Sequence, residues 1–493
     1  MKQILLSTIS LDHQSRDPLH RQLFLQLRDA ILQGALLAGT RLPSTRLMAT
    51  DLGVSRNTVL NAFDQLMAEG YLVSRAGSGT FISDQIPDEL LSKMGEGRTA
   101  SPLNRDFPLS YQAQDLKKSS DTKPYHNGPF SPGLPELDQF PFGDWARLLA
   151  RHWRHPKREY LTGNPIGGSL ELRKALSTYL AQTRAVKSDP EQILILSGSQ
   201  QALHLVVKAF ANPGDPILME DPGYPGIRNT IIGAGAKPIP VPVDAEGFSL
   251  EAAKALNLPA RLACLAPSHQ YPLGPTMSLA RRLDLLNWAK EENRFLLEDD
   301  YDSEYRYAGR PLSSLQGLDT DQRVLYVGSM SKVMFSGLRV GYLVVPPDLV
   351  DMFLALRRDM DGHSPITVEP ALADFISGGY LSGHIRKMRI LYEQRQKTLL
   401  RLLQEMCGGY LEVAEQEAGM HLVAFIRNPI VKDIAVEVLC RQDGLLLRAL
   451  SKFYHGGNAQ NGLIIGFAGT SEKQMPALVR RLAQHLKTVQ DAS

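Results

Sequence analysis

The sequence predicts a small, mainly α-helical head, a linker, and a large α/β body that closes in a small α+β lobe. Three observations carry this. Two short capped helical periods and a glycine-tipped hairpin follow one another before Asp84. From Gln192 onward, short apolar runs alternate with helical periods, the sign of a mainly parallel sheet. Four of those runs deliver polar clusters at their C-terminal ends. The implied boundaries are 1–84 for the head, 85–125 for the linker and 126–493 for the body. A chain of 493 residues suits two or three domains, and 43% hydrophobic residues are ample for a large core. The net charge is only +2, so any surface that meets a polyanion is local.

In the head, Leu19, Leu23, Leu27, Ala30 and Ile31 fall at helical spacing, and Gly34 closes the helix. Ser44 caps a second helix, Gly53 ends it, and Ser55 caps a third. That third helix puts Val59, Ala62, Phe63, Leu66 and Met67 on one face. Arg56, Asn57 and Thr58 crowd its first turn, with Asn61 on the next. Two short helices joined at a glycine, with polar groups at the start of the second, make a helix-turn-helix. Tyr71–Ser74 and Thr80–Ser83 then flank a tip that runs from Arg75 through Gly77 to Gly79, a β-hairpin placed as a wing. Taken alone, such a unit also suits protein binding or a structural role. The ordered set Pro43-Ser44-Thr45-Arg46, Gly53-Val54-Ser55-Arg56-Asn57-Thr58, Glu69-Gly70-Tyr71 and Gly77-Ser78-Gly79-Thr80-Phe81 resembles the GntR-type winged helix-turn-helix over nearly its full length. The resemblance implies a double-stranded DNA operator as partner, faced by Arg46, Arg56, Asn57, Thr58 and Gly77. The start of the third helix, Ser55 to Asn61, is then expected in a major groove, and the wing around Arg75 and Gly77 in or beside a minor groove. Many GntR relatives have a basic residue where this chain has Leu60.

Between Asp84 and Lys123 the pattern is polar and broken by prolines and glycines, with one short helical stretch at 88–94. A flexible linker of this size spans about 35 Å. Phe130-Ser131-Pro132-Gly133 opens the body. Ile193–Leu196 is an apolar strand that feeds Ser197-Gly198-Ser199-Gln200-Gln201 at the start of a helix. Small residues there present N–H groups to an anion, although they also serve as ordinary caps. Ile217–Asp221 leads to Tyr224, and Leu262–Ala266 to Ser268-His269-Gln270-Tyr271. Near the C-terminus, Gly444–Arg448 and Leu463–Ala468 are expected as strands of the small lobe. The basic residues of His384–Arg389 and Arg395–Arg401 are expected on the solvated faces of long helices.

Two further strands carry the chemistry. Phe295–Asp302 ends in Glu298-Asp299-Asp300-Tyr301-Asp302, and Val324–Val327 leads into Ser329, Lys332 and Arg339. A lysine whose pKa falls forms a Schiff base with a carbonyl group. An arginine grips a phosphate through two bonds at once. A carboxylate beside such a lysine suits the ring nitrogen of pyridoxal phosphate. By itself, the Ser329–Arg339 stretch also suits a serine-rich surface loop. Together the two stretches resemble the type I aminotransferase fold. The resemblance implies pyridoxal 5'-phosphate as cofactor, with Lys332 as the Schiff-base lysine and Ser329 and Arg339 as phosphate ligands. It assigns Asp299 to the pyridine nitrogen, Tyr301 to the ring hydroxyl and Tyr224 to stacking on the ring. Ser199 and Gln200 fall in the phosphate cradle, and Tyr160 matches the tyrosine that reaches the phosphate of the other subunit.

The two halves in one chain resemble the MocR group of GntR regulators, over essentially the whole sequence. That implies a cytoplasmic transcription regulator and a head-to-tail homodimer. Its effector would be an amine, an amino acid or a form of vitamin B6. The second reading is a working aminotransferase that carries a DNA-binding head, and a residual half-reaction stays open under the first. Two departures favour the regulator. Leu463-Ile464-Ile465 lacks the usual carboxylate-binding arginine, for which Arg448 and Arg228 are the candidate substitutes. Tyr271 stands where classical aminotransferases place an asparagine on the ring hydroxyl, and neighbouring His269 is either a ring contact or a buried turn histidine. No apolar run is long enough for a membrane helix, and Met1–Ser7 is too short for a secretory signal. Cys264, Cys407 and Cys440 are widely spaced, with no metal-ligand pattern.

Overall fold

The computed structural model describes residues 9–13, 15, 17–75, 77–84, 109–119, 127–163, 165–307, 312–365 and 367–492. The chain divides into two compact units, 1–108 and 109–493.

The first unit has helices α1 (Leu19–Leu32), α2 (Thr45–Leu52) and α3 (Arg56–Ala68), and serine caps start the second and third. The Ser44 hydroxyl accepts from Leu47 N–H, and Ser55 from Thr58 N–H. Gly53 ends α2 at φ +65°, where a side chain would be strained. Leu23, Leu27 and Ile31 of α1, Met48 of α2, and Val59, Ala62, Phe63 and Leu66 of α3 close one buried cluster. The hairpin pairs β1 (Leu72–Arg75) with β2 (Gly79–Ile82), so the ladder runs one residue nearer the tip than expected.

The described part of the 85–125 segment contains a helix, α4 (Tyr111–Ser119), where unstructured linker is expected. Its Leu116 lies against Gly233 and its Gln112 against Gly235. The stretch 88–94 lies outside the described residues.

The body is built on an eight-stranded sheet of β3 (Ile193–Leu196), β4 (Pro216–Asp221), β5 (Lys237–Asp244), β6 (Gly247–Phe248), β7 (Leu262–Leu265), β8 (Phe295–Asp300), β9 (Val324–Ser329) and β10 (Gly341–Val344). The spatial order is β3-β10-β9-β8-β7-β4-β5-β6. The ladders from β5 through β4, β7 and β8 to β9 are parallel, as the alternation of strands and helices predicts. β10 inserts antiparallel between β3 and β9. Helices α5 (Ser199–Phe210) and α6 (Pro225–Gly233) cover one face with Leu203, Val206, Val207 and Ile231, against Leu196, Met219 and Val327. Leu285 and Trp288, from the helix Leu279–Glu291, cover Leu218, Ala263 and Leu296 on the other.

The small lobe has a four-stranded antiparallel sheet: β11 (Leu411–Val413), β12 (His421–Ile426), β14 (Gly462–Gly466) and β13 (Arg448–Ala449) in that order. The strand expected at Gly444–Arg448 is therefore cut to its last residue and Ala449. Leu445 and Leu447 are buried, but Leu446 N–H bonds the carbonyl of Pro129 and so lies outside the ladder. Arg395, expected on a solvated face, is buried in the helix Tyr380–Cys407, where it pairs with Glu136 and bonds the Ala468 carbonyl.

Phe63 is 2% exposed at the centre of the head's buried cluster. Phe63→Ala is expected to destabilise the head by about 3–5 kcal/mol, read as a lower denaturant midpoint of its unfolding transition.

Candidate functional site

The C-terminal ends of β3, β4, β7, β8 and β9 and the start of β10 meet at one edge of the large sheet. The register sets Asp299 beside Val327 and Asp300 beside Gly328. It sets Gly341, the first residue of β10, between Leu196 and Ser329. Open α/β sheets bind ligands at such an edge.

At one end of this edge the geometry suits an anion. Helix α5 starts at Ser199, after Gly198 at φ +119°. Its first N–H groups lack partners within the helix, and they lie at the positive end of its dipole. Arg339, in the left-handed region at φ +54°, brings its guanidinium beside Gly198, where an added Cβ would lie 3.4 Å from Nη2. Gly341 comes so close that a Cβ on it would sit 2.7 Å from the Gly198 carbonyl carbon. The backbone N–H groups of Ser199 and Gln200 and the Arg339 fork therefore converge. The Gln200 side chain is turned elsewhere: its amide donates to Thr230 Oγ1 at 2.6 Å and to the Gly226 carbonyl at 3.2 Å. The Ser329 hydroxyl accepts from Ser331 N–H at 3.1 Å, in the turn that leads to Lys332.

At the other end, Lys332 Nζ donates to the Gly133 carbonyl at 3.0 Å. Burial lowers its pKa, against the pull of Asp302 and Asp299, and so favours the nucleophilic amine. Asp299 is buried, and its carboxyl is pushed up to about 7, first by burial and then by Asp300 and Asp302. A protonated ring nitrogen set against it would relieve that penalty. Tyr301 Oη lies 2.8 Å from His269 Nδ1. The Tyr271 ring meets Tyr301 edge-on at 5.6 Å and Tyr224 at 6.2 Å. Tyr224 stands at the start of α6, 40% exposed.

Not every expected residue joins this group. Tyr160 sits in the short helix Arg158–Thr162, where its hydroxyl donates to Glu171 Oε1 at 3.2 Å and Lys157 lies over its ring. Arg448 is directly opposite Ile464 in the β13–β14 ladder, with its guanidinium 3.7 Å from buried Glu437. Arg228 lies near His455 and helps lower that imidazole to about 4, after burial, the larger cause. Sequence reasoning misses Glu220. It is buried at the end of β4, pushed up to about 8 by burial, and takes a bond from Gln270 Nε2 at 3.3 Å. It misses Asp302 and His421 near the lysine as well. Glu220 and His421 stand at apolar strands, and Asp302 ends an acidic run in which nothing local singles it out from Asp299.

In the head, Arg46, Ser55, Arg56, Asn57 and Asn61 are exposed and Thr58 is half-buried. Ser55 and Thr58 are bonded to each other as the cap, so the exposed Arg56, Asn57 and Asn61 dominate the outer side of the helix start. Arg75 pairs with Asp84 at 3.2 Å and covers the Phe81 ring, and Gly77 holds φ +73°. Arg41, which no sequence motif singles out, lies against Gly79 of the wing.

The model of the bacterial regulatory proteins of the gntR family matches residues 19–82, and that of aminotransferase class I and II matches 133–482. The probable rhizopine catabolism regulatory protein MocR of Rhizobium meliloti is 40% identical over 467 residues, 94% of this chain and 93% of that one. This chain belongs to the MocR-type gntR family. A second MocR-type relative, the pyridoxine biosynthesis regulator PdxR of Corynebacterium glutamicum, is 32% identical over 94% of this chain and 95% of its own. Among solved structures, LysN, the α-aminoadipate aminotransferase of Thermus thermophilus in complex with N-(5'-phosphopyridoxyl)-L-leucine, superposes with a TM-score of 0.69 at 26% identity. The match covers 78% of this MocR-type chain and 96% of LysN. The anion receptor, the lysine of lowered pKa and the buried carboxyl fit pyridoxal phosphate, the cofactor of this body.

Glu220 and Asp299 have folded-state pKa values above the ordinary carboxylate range, so the folded chain holds more protons than the unfolded one up to about pH 7–8. Their contribution to stability is therefore lost as pH rises through that window. In the cofactor-free protein, Glu220→Gln is expected to flatten the fall in stability between about pH 5 and 7, by at most about 1.4 kcal/mol per pH unit. Denaturant unfolding across that range checks it.

Proposed function

We propose that this protein is a DNA-binding transcription regulator whose body senses a small molecule through pyridoxal phosphate. The single observation that carries this is a partly buried lysine of lowered pKa facing Asp299, beside the Gly198–Arg339 anion receptor, in a chain whose head exposes Arg56, Asn57 and Asn61 at a capped helix start. Bound there, the cofactor supplies an aldehyde that condenses reversibly with primary amines. In this reading Lys332 carries the cofactor, Asp299 faces its ring nitrogen, Tyr301 its ring oxygen and Tyr224 its ring face. The N–H groups of Ser199 and Gln200, with Ser329 and Arg339, take the phosphate. Tyr160, which bonds Glu171 in its own neighbourhood here, reaches the phosphate of a second copy in a head-to-tail homodimer. Residues 1–84 then act as the DNA-binding head, 85–125 as the connection and 126–493 as the sensor and dimerisation body, in the cytoplasm.

Two heads joined by the dimer would grip two half-sites of a DNA operator. Arg56 is set to meet phosphate or guanine, and Asn57, Thr58 and Asn61 base edges or backbone, with Arg46 on phosphate and Arg75 and Gly77 at the wing. The effector is an amine, an amino acid or a vitamin B6 compound. The names of the two relatives, one for rhizopine catabolism and one for pyridoxine biosynthesis, keep those classes in view. Ile464 is fully buried among Val423, Leu450 and Phe453, with Tyr271 against them, which argues against ordinary α-carboxylate selection. The second reading, a working aminotransferase with a DNA-binding head, is favoured by the complete set of Lys332, Asp299 and Arg339. Steady turnover of an amino acid with a keto acid would establish it.

Lys332→Ala is expected to abolish borohydride fixation of the cofactor and the effect of effector on DNA binding, while basal DNA affinity stays close to wild type. Spectra and gel-shift titrations of full-length protein measure both, and an effector response retained in Lys332→Ala would sink the sensor reading. Arg56→Ala is expected to weaken operator binding. If its contact is to phosphate, the salt slope becomes shallower by about one and the loss is alike across sequences. Unchanged affinity would remove α3 from the groove.

A further inference from the structure

His269 lies in the turn after β7, two residues before Tyr271, the residue that replaces the asparagine of classical aminotransferases. The residue is 3% exposed and its ring is tightly held: a Cβ on Gly419 would overlap Cε1, and one on Gly274 would lie 3.4 Å from Nε2. Nδ1 makes two contacts, with Asp302 Oδ1 at 2.9 Å and Tyr301 Oη at 2.8 Å. Nε2 is buried without a hydrogen-bond partner among the described residues.

These contacts decide where the ring hydrogen sits. The Asp302 carboxylate offers only lone pairs, so Nδ1 must be the donor. A hydrogen placed on Nε2 would be a buried donor with no acceptor, and it would turn the Nδ1 lone pair against the carboxylate. Nδ1–H is therefore shared between Asp302 and the Tyr301 oxygen. A phenol has one hydrogen, and an oxygen that accepts from His269 keeps that hydrogen for another acceptor. Burial first, and then Asp302 and Tyr271, hold the Tyr301 pKa well above its ordinary value, so the hydroxyl remains a donor.

Resting on the reading that the body binds pyridoxal phosphate, we infer that His269 is a positioning residue. Held by Asp302, it orients the Tyr301 hydroxyl so that its hydrogen goes to the ring oxygen of the cofactor, and it thereby offsets the loss of the asparagine. Other charged and titratable groups face the same space: Lys332, Asp299 and Glu220 from the sheet edge, Tyr271 from the turn, and His421 from β12, with ring centroids of His269 and His421 5.8 Å apart. His421 Nε2 is bonded to the Pro272 carbonyl, and burial lowers its pKa to about 4. These groups are common to every variant below, so differences between variants report on His269.

The test is the pH titration of the visible absorption band of the full-length protein with cofactor bound. Removing a donor from a negatively charged ring oxygen disfavours the deprotonated form, so the midpoint moves to higher pH. His269→Phe is expected to raise it by about one unit, a tenfold change in proton affinity. His269→Asn and His269→Gln are both amides, but only the asparagine nitrogen reaches the Nδ1 position. Asn should restore the wild-type midpoint, and Gln should behave like Phe. Tyr301→Phe should raise the midpoint at least as far, and adding His269→Phe to it should raise it no further. An unmoved midpoint in both His269→Phe and His269→Gln overturns the inference, as does a His269→Phe shift that persists in full on the Tyr301→Phe background. If His269→Phe fails to fold, the Asn–Gln contrast decides alone, and equal midpoints in those two variants overturn the inference. A wild-type protein with no visible band and no borohydride fixation overturns the cofactor reading itself. A wild-type band beside unmoved midpoints in His269→Phe and His269→Gln overturns only the role of His269.

Discussion

The contact on which the body depends is the approach of Gly341 to the backbone of Gly198 and Ser199. No side chain can enter there, because a Cβ would fall within 3.0 Å of three main-chain atoms. The contact does three things together. It lets β10 lie antiparallel between β3 and β9. It brings Arg339, two residues earlier, to the start of α5, where unpaired N–H groups and the helix dipole favour an anion. It also fixes the far end of the turn that holds Lys332. One backbone contact thus sets the start of α5, Arg339 and the turn that carries Lys332 in place together.

Charge burial shapes the rest of the edge. Glu220, Asp299, Asp300 and Asp302 are each less than a tenth exposed. Desolvation is the largest cause of the raised pKa values of Glu220 and Asp299. Asp300 differs in having a guanidinium partner, Arg184 at 2.7 Å, and its pKa is lowered. Uncompensated buried carboxyls are costly, and they concentrate at functional sites. A protonated ring nitrogen and a cationic lysine–cofactor linkage would offset much of that cost. Around Ile464 the surroundings differ, with Val423, Leu450 and Phe453 forming a small apolar cluster.

Much of this is legible in the sequence. Ser44, Gly53 and Ser55 mark the helix-turn-helix because caps and left-handed glycines have local signatures. Strands β3, β4, β7, β8 and β9 stand out as apolar runs, and the polar ends of β3, β4, β8 and β9 foretell the edge. Other features depend on contacts distant in sequence. Nothing near Gly341 indicates that it must touch Gly198. Glu220 and Asp302 become notable only through burial against strands far along the chain. Strand β11 is only three residues long and lies among turns, and in the stretch Leu445–Leu447 Leu445 and Leu447 are buried without joining a ladder. Arg395 belongs to a basic run, but its partners Glu136 and Ala468 come from remote segments. The helix α4 emerges from polar sequence because Leu116 finds an apolar seat at Gly233.

The place of β3 at the end of the sheet has a consequence for the order in which the molecule forms. Among the described strands its sheet neighbour is β10, so the strand that feeds the anion receptor waits for residues up to Val344. Loop closure over that separation is slow compared with local helix formation. The head draws its buried cluster from residues before Ser83 and needs no distant partner for it. During synthesis, domains complete in N- to C-terminal order. The part that grips DNA is therefore finished while the part that governs it is still being made.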